Sequence, residues 1–316
     1  MRRRGASAPD VDLTCRLGPR LVLPNPIVAA SGTYGHSDEV ARLGDPSRIG
    51  AVTTKSLSPF PWAGNPAPRV HETSAGMINS VGLQNPGVDA WLEHDLPPLL
   101  ARGARVIASI WGRSIEDYAK AAAALGPVAA RLVALEVNVS CPNVEDRGHM
   151  FAHRPEATAA AVQAAVEQVP GLAVFAKLSP NVTDLVEIAA AALQAGATGL
   201  TLINTLMGLA VDADRRRPRL GAGGGGLSGP AIKPVALRAV FDVTRALPGT
   251  PVIGTGGVAS GVDAAEMLLA GATAVGVGTA TFFDPRAPER IAAELARWCG
   301  AHGVAASAEL VGRLEV

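Results

Sequence analysis

The chain has 316 residues, 48% of them hydrophobic, enough to bury one large core within a single domain. Its 28 Lys and Arg balance its 28 Asp and Glu, so no overall field draws it to nucleic acid or to an anionic membrane, and a small molecule or another protein is the expected partner. The three cysteines, Cys15, Cys141 and Cys299, are odd in number and far apart, which argues against a disulfide framework and against a clustered zinc or iron–sulfur site within the chain.

The first ten residues, MRRRGASAPD, are basic but lead into no apolar stretch, and no run of 18 apolar residues occurs. A disordered segment 1–10 and a cytoplasmic location are expected. The next stretch, VDLTCRLGPRLVLPNP, reads as two short strands around Gly18 and Pro19, a hairpin suited to closing one end of a barrel. Apolar, β-rich runs then recur at 27–30, 51–56, 105–110, 132–140, 173–179, 199–204, 251–257 and 274–280. Amphipathic, Ala-rich segments lie between them, at 115–125, 155–169, 184–195, 232–246 and 262–270.

Nearly continuous apolar strands alternating with helices indicate a parallel sheet covered by helices. About eight such units fit a closed barrel better than an open sheet. The expected fold is therefore α/β, a (β/α)8 TIM barrel over residues 1–316, with the N-terminal β-hairpin and inserted loops at the C-terminal face. The polar, Gly-rich piece from Met207 to Ser228 is expected to be one such loop, with GAGGGG (221–226) flexible inside it.

Polar residues gather where the strands end: Ser31, Lys55 with Ser56, Ser109, Asn138 with Cys141, Lys177, Asn204 with Thr205, Gly256 with Gly257, and Gly278 with Thr279. Strand ends turn polar wherever they meet water, but in a barrel these ends converge on one mouth, the place where such folds keep their chemistry. GTGG at 254–257 matches a dinucleotide fingerprint only loosely, and the following strand lacks the acidic residue that would hold a ribose. What remains is two successive Gly-rich strand ends exposing backbone N–H groups, a phosphate site of the barrel type.

Asn79, Asn138, Asn143 and Asn204 combine donors and acceptors that suit a ring carrying amide-like groups and a carboxylate, whereas Asn85 before Pro86 equally suits a turn. Only four lysines occur, Lys55, Lys120, Lys177 and Lys233. Lys55 and Lys177 fall in apolar strands, where a compact charge serves better than a guanidinium. The histidines show no zinc spacing; His149 and His153 lie in a polar connection.

In order along the chain, ASGTYG, TTKSLSP, NSVGLQNPG, EVNVSCPN, AKLSPN, INT, GGLSGPAIKP, GTGG and GVGTA resemble dihydroorotate dehydrogenase of class 1 over nearly the whole length. The resemblance implies a TIM barrel that binds FMN at its mouth and oxidises dihydroorotate to orotate, the redox step of pyrimidine biosynthesis. It implies Cys141 as the base and Lys55 beside it in catalysis. It implies Lys55, Asn79, Ser80, Val81, Gly82, Leu83, Asn138, Asn143, Asn204 and Thr205 as substrate contacts. For FMN it implies Ser31, Lys55, Ser56, Ser109, Asn138, Lys177, Ile203, Gly229, Gly256, Gly257, Gly278 and Thr279, although Ser109 stands where the family pattern has asparagine.

LSGPAIKPVALR is most similar to class 1B, which implies a homodimeric core and a partner subunit carrying FAD and a [2Fe–2S] cluster that passes electrons to NAD. Class 1A, a homodimer using fumarate, is the alternative, with another FMN-dependent barrel oxidoreductase behind it.

Overall fold

The computed structural model describes residues 11–139 and 151–315, so Cys141, Asn143 and His149 lie outside the described residues, as does the segment 1–10. Eight parallel strands close into a barrel: β1 (Ile27–Ala29), β2 (Ala51–Thr53), β3 (Val106–Ile110), β4 (Ala134–Asn138), β5 (Val174–Leu178), β6 (Gly199–Leu202), β7 (Val252–Thr255) and β8 (Ala274–Val277). Each pairs with its neighbour in sequence, and β8 pairs with β1. The TIM barrel expected from the strand count is the observed fold. The strands read as apolar because they are buried on both faces.

The helices Ile115–Leu125, Leu185–Gln194 and Gly261–Leu269 start where the chain supplies caps. Ser114, Asp184 and Ser260 each accept the backbone N–H of the residue three positions on, which satisfies a group that the helix itself leaves unpaired. Two helical stretches escaped the sequence reading. In 88–101, Pro97 and Pro98 sit in the first turn of an α-helical segment that directly follows a π-helical turn, where irregular helical hydrogen bonding accommodates residues without an N–H. The other is Ala287–Ala301, which packs on β1. That position needs a cover, because the connection from β1 to β2 contains only the 3-10 turn Pro46–Arg48.

The N-terminal hairpin forms as expected, Cys15–Arg16 pairing with Val22–Leu23. Leu17, Leu21 and Leu23 pack against Val28, Ala51, Ile107, Ala134, Phe175, Ile253 and Ala274, which lie at or near the first residues of their strands. The hairpin thus plugs the barrel floor, and apolar contacts rather than water close that end.

The segment Met207 to Ser228 departs from the expected loop. Leu206–Gly208 and Gly225–Ser228 join Gly76–Asn79 and Val70–Thr73 in a four-stranded antiparallel sheet over the mouth. Gly225 and Gly226 are there for close approach: a Cβ on them would run into the Asn79 carbonyl oxygen and the Thr205 hydroxyl. Composition suggested flexibility, but strand pairing with residues some 150 positions away is not a local signal. Among the described residues, no helix is long and apolar enough to cross a membrane.

Candidate active site

The C-terminal ends of the strands surround a cavity of about 510 Å³, within the usual range for small-molecule sites. On one side it is lined by Gly256 and Gly257 after β7, Gly278 and Thr279 after β8, and Gly229. This side offers backbone N–H groups rather than side chains, as an anionic phosphate needs. Thr279 donates its hydroxyl to Ser228 at 2.8 Å, tying β8 to the covering sheet. On the other side stand Lys55, Asn79, Asn138, Asn204 and Thr205, whose amides and cation suit a polar ring with a carboxylate.

Between these sides the floor is built from neighbouring strands. The register sets Ser109 opposite Glu136 and Asn138 opposite Lys177. Asn138 donates from Nδ2 to Ser56 Oγ at 3.0 Å, while its backbone carbonyl accepts from the Tyr118 hydroxyl at 2.9 Å. Ser56 lies 2.9 Å from Ser109 Oγ and 3.4 Å from Ser31 Oγ. Ser109 donates to Glu136 Oε1 at 3.0 Å. Lys177 Nζ lies 3.9 Å from the same Glu136 oxygen, the two side chains only 8% and 3% exposed.

The loop 79–83 is braced from outside. Asn79 donates to the Gly226 carbonyl, Asn65 to the Ser80 carbonyl at 3.1 Å and Trp62 Nε1 to the Gly82 carbonyl at 3.0 Å. Leu83 is held at φ 62, a left-handed conformation that a non-glycine residue adopts only under such constraint. Asn85 lies beyond the cavity lining and takes the turn role. Its Oδ1 accepts from the N–H groups of Ser58 and Gly87, and its Nδ2 donates to the Leu83 carbonyl.

Of the residues expected to touch a ligand, Ser31, Lys55, Ser56, Asn79, Val81, Gly82, Leu83, Asn138, Lys177, Ile203, Asn204, Thr205, Gly229, Gly256, Gly257, Gly278 and Thr279 line one cavity. Ser80 and Ser109 are fully buried and lie outside its lining; the Ser109 hydroxyl is engaged with Glu136 and Ser56 instead. Cys141 and Asn143 follow β4 outside the described residues.

Three contributors were not singled out from the sequence. Glu136 is one, and a charged residue inside the apolar run LVALEVNVS was its visible signal. Asn181 is another: it bonds the Thr205 carbonyl and the Met207 N–H, positioning the chain after β6. The third is Thr255, a cavity-lining residue whose hydroxyl is buried against Gly276 with no hydrogen-bond partner among the described residues. Next to Lys55, His36 is held down to about 4, chiefly by burial and then by the lysine charge. Cys15, far below in the plug, is pushed up to about 12 by burial.

Comparison with known proteins fits this geometry. The family profile described as dihydroorotate dehydrogenase matches residues 18–298. The chain is 49% identical to "Dihydroorotate dehydrogenase B (NAD(+)), catalytic subunit" of Geobacter sulfurreducens, over 94% of this chain and 96% of that one. It is 48% identical to the protein of the same name from Geobacter metallireducens, over 93% and 95%. It is also 49% identical, over 93% and 96%, to a Solibacter usitatus protein named "Putative dihydroorotate dehydrogenase A (fumarate)". With a matching profile over most of its length, an eight-stranded barrel and the motif residues gathered at one mouth, the chain belongs to the dihydroorotate dehydrogenase family.

Proposed function

We propose that this chain binds FMN in the cavity and oxidises dihydroorotate to orotate in pyrimidine biosynthesis, delivering the electrons to NAD through a separate electron-transfer subunit. The observation that carries the reading is the two-sided cavity: glycine backbone on the β7 and β8 side, amides and Lys55 on the other, and the buried Lys177 cation on the floor. FMN fits the residues present. Its phosphate matches the N–H groups of Gly256, Gly257, Gly278 and Thr279, at a strand end where Gly256 and Gly257 have φ +138 and +77 and a side chain would be strained. Bound there, the flavin supplies a hydride acceptor.

The chain's own residues supply the rest. Lys55 offers the charge for the substrate carboxylate, and Asn79, Asn138 and Asn204 hold the amide-like ring edges in one orientation. Cys141, in the segment after β4, takes the proton from the carbon next to the carbonyl as the hydride leaves its neighbour, so the substrate loses both hydrogens and gains a double bond. Lys177 provides positive charge beneath the site where negative charge accumulates.

The NAD route rests on the names of the Geobacter relatives, and the fumarate route on that of the Solibacter relative. The Geobacter names, as catalytic subunits, support a partner subunit; that it carries FAD and a [2Fe–2S] cluster and sits around a homodimeric core is our proposal from the class 1B resemblance. The deciding experiment is anaerobic addition of dihydroorotate to the purified yellow protein. The flavin absorbance should bleach, and orotate should shift the oxidised spectrum; a protein that holds flavin but neither bleaches nor shifts would sink the assignment.

A further inference from the structure

Glu136 is a buried carboxylate that the chemistry above does not use. It is 2% exposed and does not line the cavity. Burying a charge is costly unless partners repay it, and Glu136 has two. Its Oε1 accepts the Ser109 hydroxyl at 3.0 Å and lies 3.9 Å from Lys177 Nζ.

The first contact sets the direction of everything above it. Once Ser109 has given its single proton to the carboxylate, the 2.9 Å contact with Ser56 must have Ser56 as donor. The Ser56 oxygen then accepts from Asn138 Nδ2. From the cavity floor downward, each donor points at Glu136. The second contact fixes where the Lys177 ammonium sits and offsets part of its field. An uncharged residue in place of Glu136 would leave the same cavity lining but a stronger positive floor.

We propose that Glu136 is a positioning residue that sets the field of Lys177 at the cavity floor, and through it the reduction potential of the flavin bound there. The inference rests on the flavin reading above and concerns how strongly this chain favours the reduced cofactor. A fully compensated lysine would give less driving force for taking electrons from the substrate, whereas an uncompensated one would hold them too tightly to pass on. The carboxylate places the chain between these limits.

The test is spectroelectrochemical titration of the flavin-loaded wild type, Glu136→Gln and Glu136→Asp. Gln keeps the shape and can accept from Ser109 but loses the charge, so the two-electron-reduced form should be favoured about tenfold, a rise of about 30 mV. Asp keeps the charge and should stay within about threefold of wild type, a rescue that a purely structural role would not produce. A flavin-loaded Gln variant at the wild-type potential, or Gln and Asp shifting alike, would overturn the inference.

If Glu136→Gln holds no flavin, the comparison moves to Lys177→Met against Lys177→Met with Glu136→Gln. In the latter the buried pair is neutral, and such replacements are commonly tolerated. The Glu136 charge contributes to the field at the flavin whichever residue stands at 177, so removing it from the Lys177→Met protein should again favour the reduced form about tenfold, and coinciding potentials would refute the idea. Wild-type protein that never takes up flavin would count against the proposed function; loaded variants with unshifted potentials count against this inference alone.

Discussion

Gly257→Ala is the sharpest single test of the phosphate side. Gly257 has φ +77, and a Cβ there would lie 2.6 Å from Lys233 Cβ, 2.8 Å from its N and 2.9 Å from its Cα. Two of those atoms are backbone at the start of the helix Lys233–Ala246, and the lysine is anchored by Asp263 and Glu266, each at 2.6 Å. The neighbour therefore cannot swing aside. The left-handed conformation costs about 1–2 kcal/mol for a non-glycine residue and the overpacking about 1–3 kcal/mol, so the apoprotein should lose roughly 2–5 kcal/mol. For a chain of this size that is a fall of roughly 3–8 °C in Tm.

Relief of the clash pushes the β7 loop away from the helix, which spoils the alignment of N–H groups, so FMN affinity should fall at least tenfold, or about 1.4 kcal/mol. Gly278→Ala is the control, since its added Cβ would meet only Ala30 and Thr33 side-chain atoms at 3.7 Å, ordinary contact distances. Scanning calorimetry of both apoproteins and equilibrium dialysis with FMN read the two effects. A Gly257→Ala protein with Tm within about 2 °C of wild type and unchanged FMN affinity would refute the steric argument.

Cys141→Ala should retain FMN and bind orotate, while anaerobic flavin reduction by dihydroorotate slows by roughly 10² to 10⁴ in stopped flow; a near-normal rate would remove Cys141 as the base. In the wild type that rate should rise as pH increases through the thiol's titration. Alkylation at pH 8 should spare Cys15, whose burial pushes it up to about 12. His36 titrates near 6.5 when exposed and at about 4 in the fold. The unfolded chain thus binds the extra proton between those values, and stability falls with pH, by about 2 kcal/mol from pH 7 to pH 5. Urea melts of His36→Gln should show a correspondingly flatter profile, and identical profiles would count against this. The isolated chain should reduce artificial dyes but not NAD; efficient NAD reduction would show that no partner is needed, and fumarate reduction at a comparable rate would favour the class 1A route.

The barrel was legible because its signals are local. Strands buried on both faces must be apolar, and the caps Ser114, Asp184 and Ser260 stand where the helices begin. The mouth was legible for a related reason: in a parallel barrel all strand ends of one polarity face the same way, so polar residues at 55, 138, 177 and 204 converge without any knowledge of register. What stayed hidden depends on pairing between distant segments. Gly225 and Gly226 look like a flexible tract until Asn79 and Thr205 are seen pressed against them, and Asn85 could be assigned to its turn only once Ser58 and Gly87 were seen to converge on its amide.

Glu136 shows where the boundary between the two lies. Its presence in an apolar strand was plain, as was the placement of Lys177 in the next one, but a buried charge can be an error of packing, a ligand contact or a counterion, and only geometry separates these. Position 136 lies opposite Ser109 and position 138 opposite Lys177, so one strand presents its amide to the cavity and, one pleat below, its carboxylate to the cation beneath that cavity. A one-residue slip of that strand would turn both side chains away from the barrel interior at once. The same register therefore places the substrate-side amide and the charge proposed to tune the cofactor, which is why a sequence with only four lysines can set one of them so deep in the fold.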